Sequence, residues 1–138
     1  MKTALFGGSF DPVHIGHLFI AEEVRVTLNF DRVIFVPARQ SPLKLNRPAA
    51  SNDERLEMLR LAIAGREDFS ICETELRREG PSYTIDTIRE LQRAGHIGAD
   101  PGLIIGDDLT ESFAAWKEYD TLRKMVQLVV ARREGSRD

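Results

Sequence analysis

Cysteine is nearly absent from this chain. Cys72 is the only one, so no internal disulfide can form. It stands in the apolar stretch Phe69-Ser70-Ile71-Cys72, which predicts a buried, inert thiol. Aromatics are sparse at 7%, with a single tryptophan, so Trp116 draws notice wherever it falls. No apolar run approaches the ~20 residues that cross a bilayer, which leaves no candidate helical span. No secretory leader is visible, because the first apolar residues run into Gly7-Gly8 where such a segment would continue. The expected setting is cytoplasmic. A strong charge of one sign is also missing. The formal charge of -3 argues against a surface built for long nucleic acid. A small anion held by local dipoles and cations remains compatible with it.

The 138 residues suit one domain, residues 1–138, with a real core. Short apolar runs alternate with helical patterns. The runs are Thr3-Ala4-Leu5-Phe6, Arg32 to Val36, the weaker Phe69 to Cys72, Leu103 to Ile105, and Gln127 to Ala131. They are continuous rather than alternating, which predicts strands covered on both faces. Leu18, Ala21, Val24 and Leu28 follow helical spacing. Ser51-Asn52-Asp53-Glu54 reads as a capping box ahead of Leu56, Leu59 and Ile63. Ile85, Ile88 and Leu91 form a third stripe, with Ser82 or Thr84 as cap and Gly95 near the stop. A shorter helix is expected over Leu109 to Ala115. This alternation predicts an α/β fold: a Rossmann-like, doubly wound parallel sheet of about five strands with helices on both faces.

The string Gly7-Gly8-Ser9-Phe10-Asp11-Pro12-Val13-His14-Ile15-Gly16-His17 follows the first strand. The glycine pair predicts a tight turn at the carboxyl end of a strand, where open α/β sheets bind ligands. Gly16 and His17 then fall in the first turn of a helix, whose free N–H groups favour an anion. His14 and His17 share one side of that turn. Two imidazoles there suit phosphoryl or nucleotidyl transfer, where the protein positions groups and stabilises charge. A metal site would need more ligands, and the only other histidine, His96, lies in a turn-rich loop. No metal ligands are therefore expected. GxGxxG and GxxxxGK[ST] are both absent.

This string resembles the signature of the HxGH nucleotidyltransferases, specifically the bacterial nicotinate mononucleotide adenylyltransferases. Ser82-Tyr83-Thr84-Ile85-Asp86-Thr87 is similar to the family's SYTxDT segment, and Ile105-Gly106-Asp107-Asp108 with Trp116 to its GxD…W segment. The resemblance implies transfer of AMP from ATP to nicotinate mononucleotide, with Mg²⁺ accompanying the ATP. It implies catalytic roles for His14, His17 and Lys44. Gly7, Gly8, Ser9 and Phe10 would line the crossing of the two nucleotides. Tyr83, Thr84 and Trp116 would receive the pyridine end, and Gly106 and Asp108 the ATP nucleoside. A basic residue near the mononucleotide would be Arg132 or Arg133, of which Arg133 is preferred. The family more often has histidine just before the lysine, where Leu43 stands here.

The resemblance further implies a Ser/Thr-rich, arginine-ending segment and a final helix beyond the last strand. Neither is found in this sequence. Pantetheine-phosphate adenylyltransferases and glycerol-phosphate cytidylyltransferases share the paired histidines. A nucleotide-binding domain without turnover is a further alternative. The expected partners are ATP and nicotinate mononucleotide, with no long nucleic acid and no membrane. Homo-oligomerisation is left open.

Overall fold

The computed structural model describes residues 1–8, 10, 13–39, 51–78, 82–106 and 116–131. Five strands form one sheet: β1 (Thr3–Gly8), β2 (Arg32–Pro37), β3 (Phe69–Ile71), β4 (Gly102–Gly106) and β5 (Gln127–Ala131). Their order is β3-β2-β1-β4-β5, and every pairing is parallel. The strand order reverses between β1 and β4. That is the switch point at which open parallel sheets leave a crevice.

Helices lie on both faces. One cover is α1 (Ile15–Thr27) and α2 (Asn52–Ile63), which bury Ala21, Val24, Leu59 and Ile63 against Phe6, Val33 and Phe35. A four-residue turn of helix, α3 (Thr74–Arg77), follows β3. The opposite cover is α4 (Thr84–Arg93) and α5 (Tyr119–Met125), which bury Ile85, Ile88, Leu91 and Leu122 against Leu5, Ile34 and Leu103. Successive strand residues thus alternate between two cores. This explains the continuous apolar runs. Gly102 lets β4 pass close to Phe30, whose ring occupies the space a Cβ would need.

Local sequence sets the helix ends. Ser51 and Glu54 form the expected capping box, with Ser51 Oγ accepting from Glu54 N at 3.1 Å and Glu54 Oε1 accepting from Ser51 N at 2.9 Å. Gly95, at φ +78°, closes α4. Its N–H donates to Gln92 O, and the N–H of His96 to Leu91 O, which is the Schellman arrangement. Cys72 is buried, and its thiol donates to Thr74 Oγ1 at 3.3 Å.

Three expectations change. Gly7 and Gly8 are not a turn: they are the last two residues of β1, paired with Val36 and Pro37. The left-handed backbone falls instead on Phe10, at φ 47°. The N-cap of α4 is Tyr83 with no side-chain cap bond, so neither Ser82 nor Thr84 serves that role. β5 is not covered on both sides: Leu128 and Val130, in register with Leu103 and Ile105, are 39% and 44% exposed. The expected helix over Leu109 to Ala115 lies outside the described residues.

Candidate active site

At the switch point, Phe6 pairs with Ile104, and both strands then end in glycine. Gly7, Gly8 and Gly106 form the carboxyl rim of adjacent strands. Among the described residues, a Cβ at Gly7 would meet nothing within 4 Å, so none of them closes the rim on that side. No side chain from these three positions fills the crevice. Among the described residues, no helix is long and apolar enough to cross a membrane.

The helix that follows β1 starts in an unusual way. His14 is the N-cap of α1 and His17 its third residue, and together they form a capping box. The N–H of Gly16 donates to His14 Nδ1 at 3.1 Å, and the N–H of His14 donates to His17 Nδ1 at 3.0 Å. Capping boxes ordinarily pair Ser or Thr with Glu or Gln. Here imidazoles play both parts. An Nδ1 that accepts a hydrogen bond has no proton, so in each ring the proton sits on Nε2. The rings lie 3.9 Å apart and tilted by 31°. The helix start therefore carries two N–H donors of fixed tautomer, beside backbone groups that already favour an anion.

His17 leans on an aromatic floor. Phe10 and Phe6 present edge-on rings at 5.0 and 6.1 Å from it, and both phenylalanines are buried. Burial, with a lesser contribution from nearby His14, lowers the His17 pKa from 6.5 to about 4. His17 is thus a neutral donor at pH 7. The strained Phe10 backbone is the local cost of seating that ring. Its ring belongs to the core and lies against Gly8, 3.5 Å from where a Cβ there would stand.

The depressed pKa couples pH to folding. Above pH 6.5 neither state binds a proton at His17 and its contribution is complete. Below 6.5 the unfolded chain gains a proton that the folded chain refuses until about pH 4. Stability is expected to fall by on the order of 2 kcal/mol across that window, discounted because the ring is only half-buried. Chemical denaturation at several pH values checks this. His17→Gln should flatten the profile between these limits. Asp68, held low by Arg66, and Glu22, held low by Arg25, lose their contributions only at more acid pH.

The remaining predicted residues divide in two. Tyr83 and Thr84 stand at the start of α4, with Tyr83 43% exposed. Trp116 is half-buried against the core beneath α4 and α5. Two ion pairs tie its neighbours to α4: Lys117 Nζ to Asp86 Oδ2 at 3.0 Å, and Arg89 to both oxygens of Glu118 at 3.0 Å. Lys117 also lies 4.8 Å over the Tyr83 ring. Ser9, Lys44, Asp108, Arg132 and Arg133 lie outside the described residues. His96 is remote, since its carbonyl accepts from Arg32 at the amino end of β2. Among the described residues, no group of three His, Cys, Asp or Glu could hold a metal.

Sequence reasoning did not single out Arg55, a fully buried cation in α2. Nor did it find the polar group behind α4, where Thr87 Oγ1 donates to Glu75 Oε2 at 2.8 Å and Arg39 Nη1 donates to Arg78 O at 2.9 Å. Burial raises the Glu75 carboxyl above its usual range.

A parallel sheet of this order, with paired donors on the helix after its central strand, is a Rossmann-like α/β protein. The comparisons narrow that class. A cytidylyltransferase-like family model matches residues 5–136. A probable nicotinate-nucleotide adenylyltransferase of Symbiobacterium thermophilum is 42% identical over 97% of this chain, which spans 64% of that protein. A protein of the same name from Aquifex aeolicus is 43% identical over 95% of this chain, which spans 77% of it. A solved structure, Plasmodium falciparum nicotinic acid mononucleotide adenylyltransferase complexed with NaAD, shares the fold at a TM-score of 0.78. It is 16% identical, covering 100% of this chain and 68% of its own. The chain belongs to the cytidylyltransferase-like family, among its nicotinate-nucleotide adenylyltransferases.

Proposed function

We propose that this site transfers AMP from ATP to nicotinate mononucleotide, giving deamido-NAD and pyrophosphate, a step of NAD biosynthesis. The observation that carries the reading is the histidine capping box at the start of α1. It supplies two Nε2–H donors of fixed tautomer beside the β1/β4 crevice. The names of the relatives support the acceptor.

In this reading a phosphate oxygen of the mononucleotide attacks the α-phosphorus of ATP in line. The bond to the β-phosphate oxygen breaks, and pyrophosphate leaves with its electron pair. No covalent enzyme intermediate forms. His14 and His17 donate to nonbridging oxygens, and their bonds strengthen as charge gathers there. Lys44 neutralises the triphosphate. Mg²⁺ arrives with ATP as part of the substrate, since it keeps several waters and needs few protein ligands. Gly7, Gly8, Ser9 and the Phe10 main chain line the crossing of the nucleotides. Gly106 and Asp108 hold the ATP nucleoside. Tyr83, Thr84 and Trp116 receive the pyridine, and Arg133 sits near the mononucleotide.

An acceptor screen tests the assignment. Pyrophosphate release is measured with MgATP and, in turn, nicotinate mononucleotide, its amide counterpart and phosphopantetheine. The acid form should be the best acceptor, because a helix start offers N–H groups to a carboxylate. Preference for phosphopantetheine would move the chain to another HxGH chemistry. The chain spans 64% of the length of the first relative. Calorimetry with ATP, run beside the screen, separates binding from catalysis.

A further inference from the structure

Arg55 has 0% exposure and lies in the first turn of α2. Helix preference does not account for it, since a cation opposes the dipole at that end. Core packing does not either, because an apolar side chain of similar volume avoids the cost of desolvating a guanidinium. Its contacts suggest a different use. Nη2 donates to Ala38 O at 2.7 Å and to Asn52 Oδ1 at 2.5 Å. The N–H of Ala38 in turn donates to Gly8 O at 2.9 Å. Ala38 is therefore held on both sides, by the glycine rim through its N–H and by Arg55 through its carbonyl.

The same guanidinium bridges two points far apart in sequence. Asn52 follows Ser51, the N-cap of α2, so the guanidinium joins the start of α2 to Ala38, the residue just past β2. Both bonds leave Nη2, a planar NH₂ whose two hydrogens point in fixed directions, whereas an ammonium on a flexible stem turns freely.

We propose that Arg55 is a positioning residue for nucleotide binding. Through Ala38 it fixes the Gly8 end of β1, and through Asn52 it ties that end to the start of α2. The proposal rests on the reading of the β1/β4 rim as the nucleotide site.

The test uses the full chain with Arg55→Lys, which keeps the charge and loses the planar pair of directed N–H bonds. Asn52→Ala is the milder second variant, removing one acceptor. Two readouts are taken: amide hydrogen exchange at Ala38, Leu5 and Phe6, and the Kd for MgATP by calorimetry. In Arg55→Lys the Ala38 amide should exchange about tenfold faster while Leu5 and Phe6 keep their rates. The Kd for MgATP should rise about tenfold, the scale of one charge-assisted hydrogen bond. Asn52→Ala should shift both readouts the same way by less. Uniform acceleration across all three amides would reduce Arg55 to a stability element. An unchanged Ala38 rate would overturn the clamp itself. The exchange readout needs no turnover, so it stands even if the proposed reaction fails.

Discussion

His17→Ala is expected to lower kcat/KM by about a hundredfold or more, the scale of removing one donor aimed at developing charge. The same change should cost folding only about 1–2 kcal/mol, through the lost cap partner of the His14 N–H and a half-buried ring. The two effects separate because His17 serves two masters. Its Nδ1 accepts the His14 N–H, which is structural. In the proposed reaction its Nε2–H meets a phosphate oxygen, which is functional. His17→Gln retains an amide donor and should recover part of the rate. Paired measurement of pyrophosphate release and thermal unfolding checks both numbers. A variant whose activity falls only in step with its folded fraction would remove His17 from the chemistry.

Gly16→Ala is the second large effect, and it runs against helix propensity. Alanine in a helix is worth about 1 kcal/mol over glycine, so the change should be neutral or mildly stabilising by that measure. The obstacle is His14. A Cβ on Gly16 would lie 2.9 Å from His14 Cε1 and 3.0 Å from His14 Nδ1. The imidazole is exposed and can swing away, so the fold survives. Swinging away breaks the Gly16 N–H to Nδ1 bond and unstacks the ring from His17. Turnover is expected to fall tenfold to a hundredfold, roughly the penalty of misplacing a catalytic donor by about 1 Å. The melting temperature should stay within a few degrees of the parent. Full activity in Gly16→Ala would show that the stacked geometry is not what the reaction uses. The glycine between the histidines is thus explained by the space that the first ring needs.

These two variants also show what the sequence could and could not disclose. The strands were legible because β1, β2 and β4 are buried on both faces and carry unbroken apolar runs. The start of α2 was legible because Ser51 and Glu54 are the ordinary residues of a capping box. A box made of histidines has no such signature, so His14 and His17 were placed together but their tautomers were not foreseen. α3 and α5 escaped notice because four and seven residues are too few to show a helical period. The glycine pair was read as a turn, yet nothing in two glycines tells a strand end from a turn until the partner strand is known. Arg55 was invisible for a related reason. A cation on a helix reads as solvated, and only the tertiary fold shows it enclosed between Ala38 and Asn52. Local chemistry disclosed the elements, and long-range packing decided what the polar groups do.

The central claim is that the His14 and His17 rings are proton-bearing on Nε2 and meet nucleotide phosphate there. Ring ¹⁵N NMR near neutral pH, with His14 and His17 labelled, tests it directly before and after addition of MgATP. The account predicts a bare Nδ1 and a protonated Nε2 in both rings, with both Nε2 signals moving on saturation by nucleotide. A proton on Nδ1 in either ring, or Nε2 signals unmoved by saturating MgATP, would contradict it.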